Sequence, residues 1–174
     1  MEEQAPDRAL VIVPTYNEAE NVLAVIEQLM NLPEPVSVLI VDDGSPDGTA
    51  GRVRSMQTQY PDRVHLRERS GKQGLGTAYI LGFRFALDHG FTYVCEMDAD
   101  LSHNPADLPR LIAPVRDDVA DVAVGSRYVG GVRVMNWPLT RLMISYGASL
   151  YTRAITRLPV YDVTAGFKCY HRRV

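Results

Sequence analysis

The chain has 174 residues, 46% of them apolar and 22% charged, with a formal net charge of −3. That length suits one domain with a sizeable core that needs no disulfide or metal support, and the composition excludes a disordered, collagen-like or disulfide-rich protein. No apolar stretch approaches the ~20 residues needed to cross a bilayer, and acidic Met1–Gln4 does not read as a secretory leader.

Ala9–Val13 is wholly apolar and ends at Pro14, the pattern of a buried strand. Asn17 and Glu20 stand at capping-box spacing, and Val22, Val25, Ile26, Leu29 and Met30 then recur at helical intervals until Pro33. Val36–Val41 predicts a second buried strand, followed by the turn-rich Asp42-Asp43-Gly44-Ser45-Pro46-Asp47-Gly48. Thr49 is placed to cap a helix over Ala50–Gln59, and Val64–Arg67 predicts a weaker third strand. Glycine-rich Gly71–Gly76 leads into a helix over Thr77–His89 that Gly90 closes. Tyr93–Met97 reads as the next strand. Asn104 and Pro105 supply an N-cap and first position for a helix over Ala106–Val115. Val119–Val124 predicts another strand, Leu139–Leu158 a long amphipathic helix and Phe167–Tyr170 a last strand. Strands alternating with helices predict an α/β fold, one domain over residues 1–174, with a mostly parallel sheet covered on both faces.

Charge is divided unevenly. Residues 127–174 carry +7, with Asp162 their single acid, and the first 126 residues carry −10. An acidic front half suits a metal cation, and a basic rear suits phosphate or an anionic membrane surface. A solvated basic helix face explains the rear equally well on charge alone. Cys95 and Cys169 are far apart in sequence and read as reduced thiols of a protein that works in or faces the cytoplasm.

Four polar clusters each directly follow a predicted strand: Pro14–Glu18, Asp42-Asp43, Asp98–Asp100 and Ser126-Arg127. In an open parallel α/β sheet, ligands bind in the crevice beyond the carboxyl ends of the strands, so the clusters converge on one edge. Asp98-Ala99-Asp100 offers two hard carboxylates that can share Mg²⁺ or Mn²⁺ and leave positions open for substrate phosphate. Asp42-Asp43 offers a carboxylate to a nucleotide's base edge or ribose, while Asp47 serves the turn. The segment Gly71–Gly76 matches neither a Walker loop nor a G-x-G-x-x-G fingerprint, which argues against a P-loop ATPase or a dehydrogenase. The four histidines lack zinc-ligand spacing and receive no chemical role.

In order along the chain stand Pro14-Thr15-Tyr16-Asn17-Glu18, Val41-Asp42-Asp43-Gly44-Ser45-Pro46-Asp47-Gly48-Thr49, Gly74-Leu75-Gly76-Thr77-Ala78-Tyr79 and Asp98-Ala99-Asp100-Leu101-Ser102-His103. Gly125-Ser126-Arg127-Tyr128, Asn136-Trp137 and Thr164-Ala165-Gly166-Phe167 follow. From about Ala9 to its last residue the chain resembles dolichol-phosphate (polyprenol-phosphate) mannose synthases, family 2 glycosyltransferases with a GT-A fold. The resemblance implies transfer of mannose from GDP-mannose to a polyprenyl monophosphate, with a divalent metal (Mg²⁺ or Mn²⁺), by an enzyme peripheral to the cytoplasmic membrane face. No nucleic-acid partner is implied. Pro14, Tyr16 and Glu18 would line the nucleotide pocket, and Val41 and Asp43 would contact the nucleoside. Asp98, Ala99 and Asp100 would meet the donor and its metal, with Asp98 and Asp100 the ligands. Arg127, Arg141 and Ser145 would hold the acceptor phosphate, which places Asp98, Asp100 and Arg127 closest to the reaction.

The chain departs from the family at two points. Ser102 stands where some relatives carry Gln near the metal. Relatives continue past the position of Val174 into a segment whose Arg and Lys clamp the donor phosphates, so the sequence reads as a catalytic domain without its C-terminal part, and a membrane-anchoring segment or partner is an open expectation. Two alternatives stand beside this reading: another donor, such as UDP-glucose, and a non-catalytic nucleotide-binding module.

Overall fold

The computed structural model describes residues 8–126, 152, 155, 162 and 165–174. Strands β1 (Ala9–Thr15) and β2 (Val36–Asp42) are interior strands of its sheet, and Pro14 is the one residue of the two that is not buried. Around them lie α1 (Val22–Met30), α2 (Thr49–Gln59), β3 (Val64–Glu68), α3 (Leu75–Asp88), β4 (Tyr93–Glu96), a 3₁₀ turn (Pro105–Asp107), α4 (Leu108–Arg116), β5 (Val122–Val124) and β6 (Lys168–His171). The sheet order is β3-β2-β1-β4-β6-β5. Strands β3, β2, β1 and β4 run parallel, and β6 enters antiparallel between β4 and β5. The predicted α/β class and mostly parallel sheet are what the chain forms.

Alternation along the central strands fills two apolar layers. Leu10, Ile12, Leu39 and Val41 pack with Ala78, Phe85 and Ala86 of α3 on one face. Val11, Val13, Val38 and Ile40 pack with Val25, Ile26 and Leu29 of α1 and with Leu108 and Ile112 of α4 on the other. Burying a side chain such as Leu10 or Ile12 completely stabilises the fold by about 1.5–3 kcal/mol. Helices on both faces leave the strand ends as the open edge.

Two of the predicted helix-end signals are borne out. Asn104 accepts a hydrogen bond from the Ala106 N–H at 3.1 Å, as an N-cap should. Gly90, at φ +73°, closes α3: its N–H donates to Leu87 O, and the Phe91 N–H donates to Ala86 O, the paired bonds of a Schellman ending.

Other local expectations need correction. Asn17 adopts φ +60° and is not a cap. Helix α1 instead begins at Val22, where the Glu18 carbonyl accepts from the N–H groups of both Asn21 and Val22. Thr49 is the first residue of α2 rather than its cap, and the Asp47 carboxylate takes the Thr49 N–H at 3.0 Å. Helix α3 starts two residues earlier than predicted, and α4 opens through the 3₁₀ turn. The strand predicted over Val119–Val124 shortens to Val122–Val124 because the Val119 and Ala120 N–H groups still bond to Pro114 O, which keeps the chain wrapped around the end of α4. The final strand shifts by one residue to Lys168–His171. The helix predicted over Leu139–Leu158 falls almost wholly outside the described residues.

Cys95 and Cys169 are distant in sequence yet directly opposite each other on β4 and β6. Both are buried free thiols. Hydrogen bonding to Cys169 and then burial push the Cys95 thiol well above its ordinary pKa, which disfavours the reactive thiolate.

Candidate active site

Register brings three of the four predicted clusters together, those that follow β1, β2 and β4; the fourth, Ser126-Arg127, is only half within the described residues. Pro14 pairs with Val41 and Thr15 with Asp42, and the Met97 N–H donates to Ile12 O at 3.1 Å. The chain leaving β4 therefore emerges beside the chain leaving β1, which lies beside β2. Tyr16, Glu18, Asp43, Asp98 and Asp100 follow those three strand ends on one edge of the sheet. Val41 is fully buried in the apolar layer under α3, and Ala99 is also buried. Arg127, Arg141, Ser145, Asn136, Trp137 and Thr164 lie outside the described residues.

Most of the turn after β2 is scaffold. Asp42 is 1% exposed, and its carboxylate accepts from Thr15 Oγ1 at 2.9 Å, Ser45 N–H at 2.8 Å and Ser45 Oγ at 2.6 Å. Ser45 Oγ, Asp47 Oδ2 and Thr49 Oγ1 in turn accept the backbone N–H groups of Asn17, Ala19 and Glu18. Alternate residues of one turn thus fasten the loop that carries Tyr16 and Glu18. The Thr49 hydroxyl, then the Ala19 N–H, lower the Asp47 pKa below the ordinary carboxylate value, because hydrogen bonds to the charged form favour it.

Asp43, the first residue beyond β2, is paired. Arg69, which follows β3, forms an ion pair with it, and the two side chains are only 5% and 14% exposed. The same guanidinium donates to Thr77 Oγ1 at 2.6 Å and to the Gly74 carbonyl at 3.4 Å. Arg69 therefore ties the β2 exit to the glycine-rich segment and the start of α3. Within that segment Lys72 places its ammonium 3.9 Å from the centre of the Tyr16 ring, a cation–π contact.

Beyond β4, Asp98 keeps 40% of its side chain exposed while His103 Nε2 stands 3.7 Å from its Oδ2. The His103 ring stacks on Phe167, with centroids 5.1 Å apart. Gly166 packs so closely that a Cβ there would run into the Asp98 carboxylate. Asp100 is exposed, and its Oδ1 accepts the Ser102 N–H at 3.0 Å. Between them Leu101 takes φ +58°, which costs a non-glycine residue roughly 1–2 kcal/mol. Among the described residues no three His, Cys, Asp or Glu side chains gather as a complete metal cage. Two exposed carboxylates with hard oxygen donors fit a divalent cation that takes its other ligands from substrate oxygens and water.

Behind Asp98, Lys168 pairs with Glu96 at 3.2 Å where β6 meets β4. The buried Tyr79 hydroxyl has no hydrogen-bond partner among the described residues. Burial, then the negative charges of Asp98 and Glu96, push its pKa well above the ordinary phenol value, so it remains a donor. Sequence reasoning missed Arg69 and His103: one falls in no motif, and the other stood within a quoted motif without an assigned role.

A family model described as glycosyl transferase family 2 matches residues 10–174. The chain is 46% identical over 167 residues to a polyprenol monophosphomannose synthase of Mycolicibacterium smegmatis, a match covering 96% of this chain and 63% of that protein. It is 45% identical over 163 residues to an undecaprenyl-phosphate mannosyltransferase of Micrococcus luteus, covering 94% of this chain and 66% of that protein. Among solved structures, a mannosyltransferase of Pyrobaculum calidifontis in complex with GDP-Man and Mn²⁺ superposes with a TM-score of 0.64 at 23% identity, over 98% of this chain and 48% of that one. The shared architecture is the expected GT-A fold. No helix among the described residues is long and apolar enough to cross a membrane.

Proposed function

The chain belongs to glycosyl transferase family 2, and from that premise we propose that it transfers mannose from GDP-mannose to a polyprenyl monophosphate with inversion. The observation that carries this reading is the alignment of three strand exits. Asp43 follows β2, Tyr16 and Glu18 follow β1, and Asp98 and Asp100 follow β4, in that spatial order. A nucleotide sugar laid across the edge would meet a nucleoside contact, then a phosphate path, then a cation site. The names of relatives 45–46% identical to it support mannose and a polyprenyl phosphate as the transferred group and the acceptor.

In this reading Pro14, Tyr16, Glu18, Val41 and Asp43 line the nucleoside side, with Val41 contributing backbone and packing rather than an exposed side chain. Asp98 and Asp100 hold a divalent cation, Mg²⁺ or Mn²⁺, which when bound neutralises charge on the departing diphosphate. Gly166 and His103 keep the Asp98 carboxylate in place. Arg127, Arg141 and Ser145 hold the acceptor phosphate. That phosphate is already anionic, since its second pKa is ~6, and no side chain needs to remove a proton. One acceptor oxygen forms a bond to the anomeric carbon as the bond to GDP's terminal phosphate oxygen breaks and its electron pair leaves with GDP. A single displacement inverts the carbon. The chain acts as a single catalytic domain at the cytoplasmic face of a membrane that contains the lipid.

The test is transfer of radiolabelled mannose from GDP-mannose to a polyprenyl phosphate in detergent with Mn²⁺, with UDP-glucose as the competing donor. Label should enter the lipid fraction, and EDTA should stop it. Preferential glucose transfer would overturn the donor assignment, and GDP-mannose binding without transfer to lipid would favour a non-catalytic module.

A further inference from the structure

The glycine-rich segment matches no phosphate-loop pattern, yet the fold brings it to the site. Arg69 anchors its base to Asp43 and its far end to Gly74 and Thr77, and Lys72 extends over Tyr16. Tyr16 follows β1, the strand between β2 and β4. With strands spaced at about 4.8 Å, the nucleoside side at β2 and the carboxylates after β4 lie roughly 10 Å apart across the end of β1. A diphosphate joining the two must pass over Tyr16.

Among the described residues named here, the charge around that path is otherwise negative or already committed. Glu18, Asp43, Asp98 and Asp100 are acids, Arg69 is engaged with Asp43 and His103 lies against Asp98. Lys72 is exposed and makes no carboxylate ion pair among the described residues. Resting on the reading of this edge as a nucleotide-sugar site, we infer that Lys72 is a phosphate-binding residue. It moves its ammonium from the Tyr16 ring onto an oxygen of the nucleoside diphosphate. The cation–π contact stores the side chain above the path, and a phosphate oxygen is the stronger partner because both groups of that hydrogen bond are charged.

The test is calorimetric titration of the chain and its Lys72→Met and Lys72→Arg variants with GDP, guanosine and inorganic pyrophosphate, all with Mn²⁺. Lys72→Met should weaken GDP and pyrophosphate binding about tenfold or more, the size of one charge-assisted hydrogen bond. It should leave guanosine binding unchanged, and Lys72→Arg should retain most of the affinity. Equal losses for GDP and guanosine would assign Lys72 to the shape of the Tyr16 loop and overturn the inference. Wild-type GDP binding that Lys72→Met leaves intact would overturn it while sparing the site. If the wild type bound none of the three probes, the nucleotide-site reading would fall and the inference with it. Circular dichroism of the variants separates these outcomes from unfolding.

Discussion

Asp98 and Asp100, the two proposed metal ligands, are unlike in surroundings. Asp98 is confined by Gly166 and faced by His103, whereas Asp100 is exposed and touches its own turn. Asp100→Ala should therefore change stability by no more than about 0.5 kcal/mol, as for other exposed positions, and should abolish Mn²⁺-dependent GDP-mannose binding. Calorimetry with and without Mn²⁺ checks this, and a folded variant with wild-type metal-dependent affinity would remove Asp100 from the ligand set. Gly166→Ala should produce a similar binding defect from outside the acidic motif, because the new methyl displaces the Asp98 carboxylate. Asp47 supplies a pH dependence instead. Its folded pKa lies below its unfolded value, so its stabilisation is present above the unfolded pKa and is lost as pH falls through the folded one. Asp47→Ala should be less stable than wild type at neutral pH, and the gap should narrow as the buffer is taken below the ordinary carboxylate pKa. Denaturant unfolding at several pH values measures it; a pH-independent gap would refute the assignment.

At the scale of elements, the turn after β2 and the segment before α3 act as one unit through Arg69. Removing Arg69 leaves Asp43 largely buried without its counter-charge, and breaking a buried pair from one side costs roughly 3–5 kcal/mol. The pair retains some exposure, so Arg69→Ala is expected near the lower end, about 3 kcal/mol. It should also weaken guanosine binding, since Asp43 loses its orientation. Arg69→Lys should not restore the site: an ammonium cannot reproduce the planar fork that reaches Asp43, Thr77 and Gly74 together. Urea unfolding and nucleoside titration read the two effects separately. Two helix-end signals with near-neighbour partners were legible in the sequence. The Asn104 cap and the Gly90 ending involve partners within a few residues. The Asn17–Glu20 capping box misled because its pattern is common and the Glu18 carbonyl, not a side chain, satisfies the first N–H groups of α1.

For the whole molecule, the charge asymmetry divides the proposed reaction. The acidic front half holds the described strand exits around the donor, and the +7 rear contains Arg127 and Arg141. Arg127→Ala and Arg141→Ala should each raise the requirement for polyprenyl phosphate at least tenfold, the size of one hydrogen bond to a charged group. GDP-mannose affinity should change little. Steady-state kinetics with donor and lipid varied separately decides this, and a loss confined to donor affinity would move both arginines to the donor side.

The sequence alone determined the α/β class, most strand and helix positions, and the convergence of Tyr16, Asp43, Asp98 and Asp100 on one edge. Those properties follow from hydrophobic runs, helical spacing and the rule that parallel strands present their carboxyl ends together. Tertiary structure decided what depends on register between distant strands. It placed Cys95 opposite Cys169 and Lys168 beside Glu96, buried Asp42 while leaving Asp43 to Arg69, and put Gly166 against Asp98 and Lys72 over Tyr16. A side chain's spacing along the chain says which face it occupies, but its partner across the sheet is chosen by packing and hydrogen-bond pairing of the whole layer.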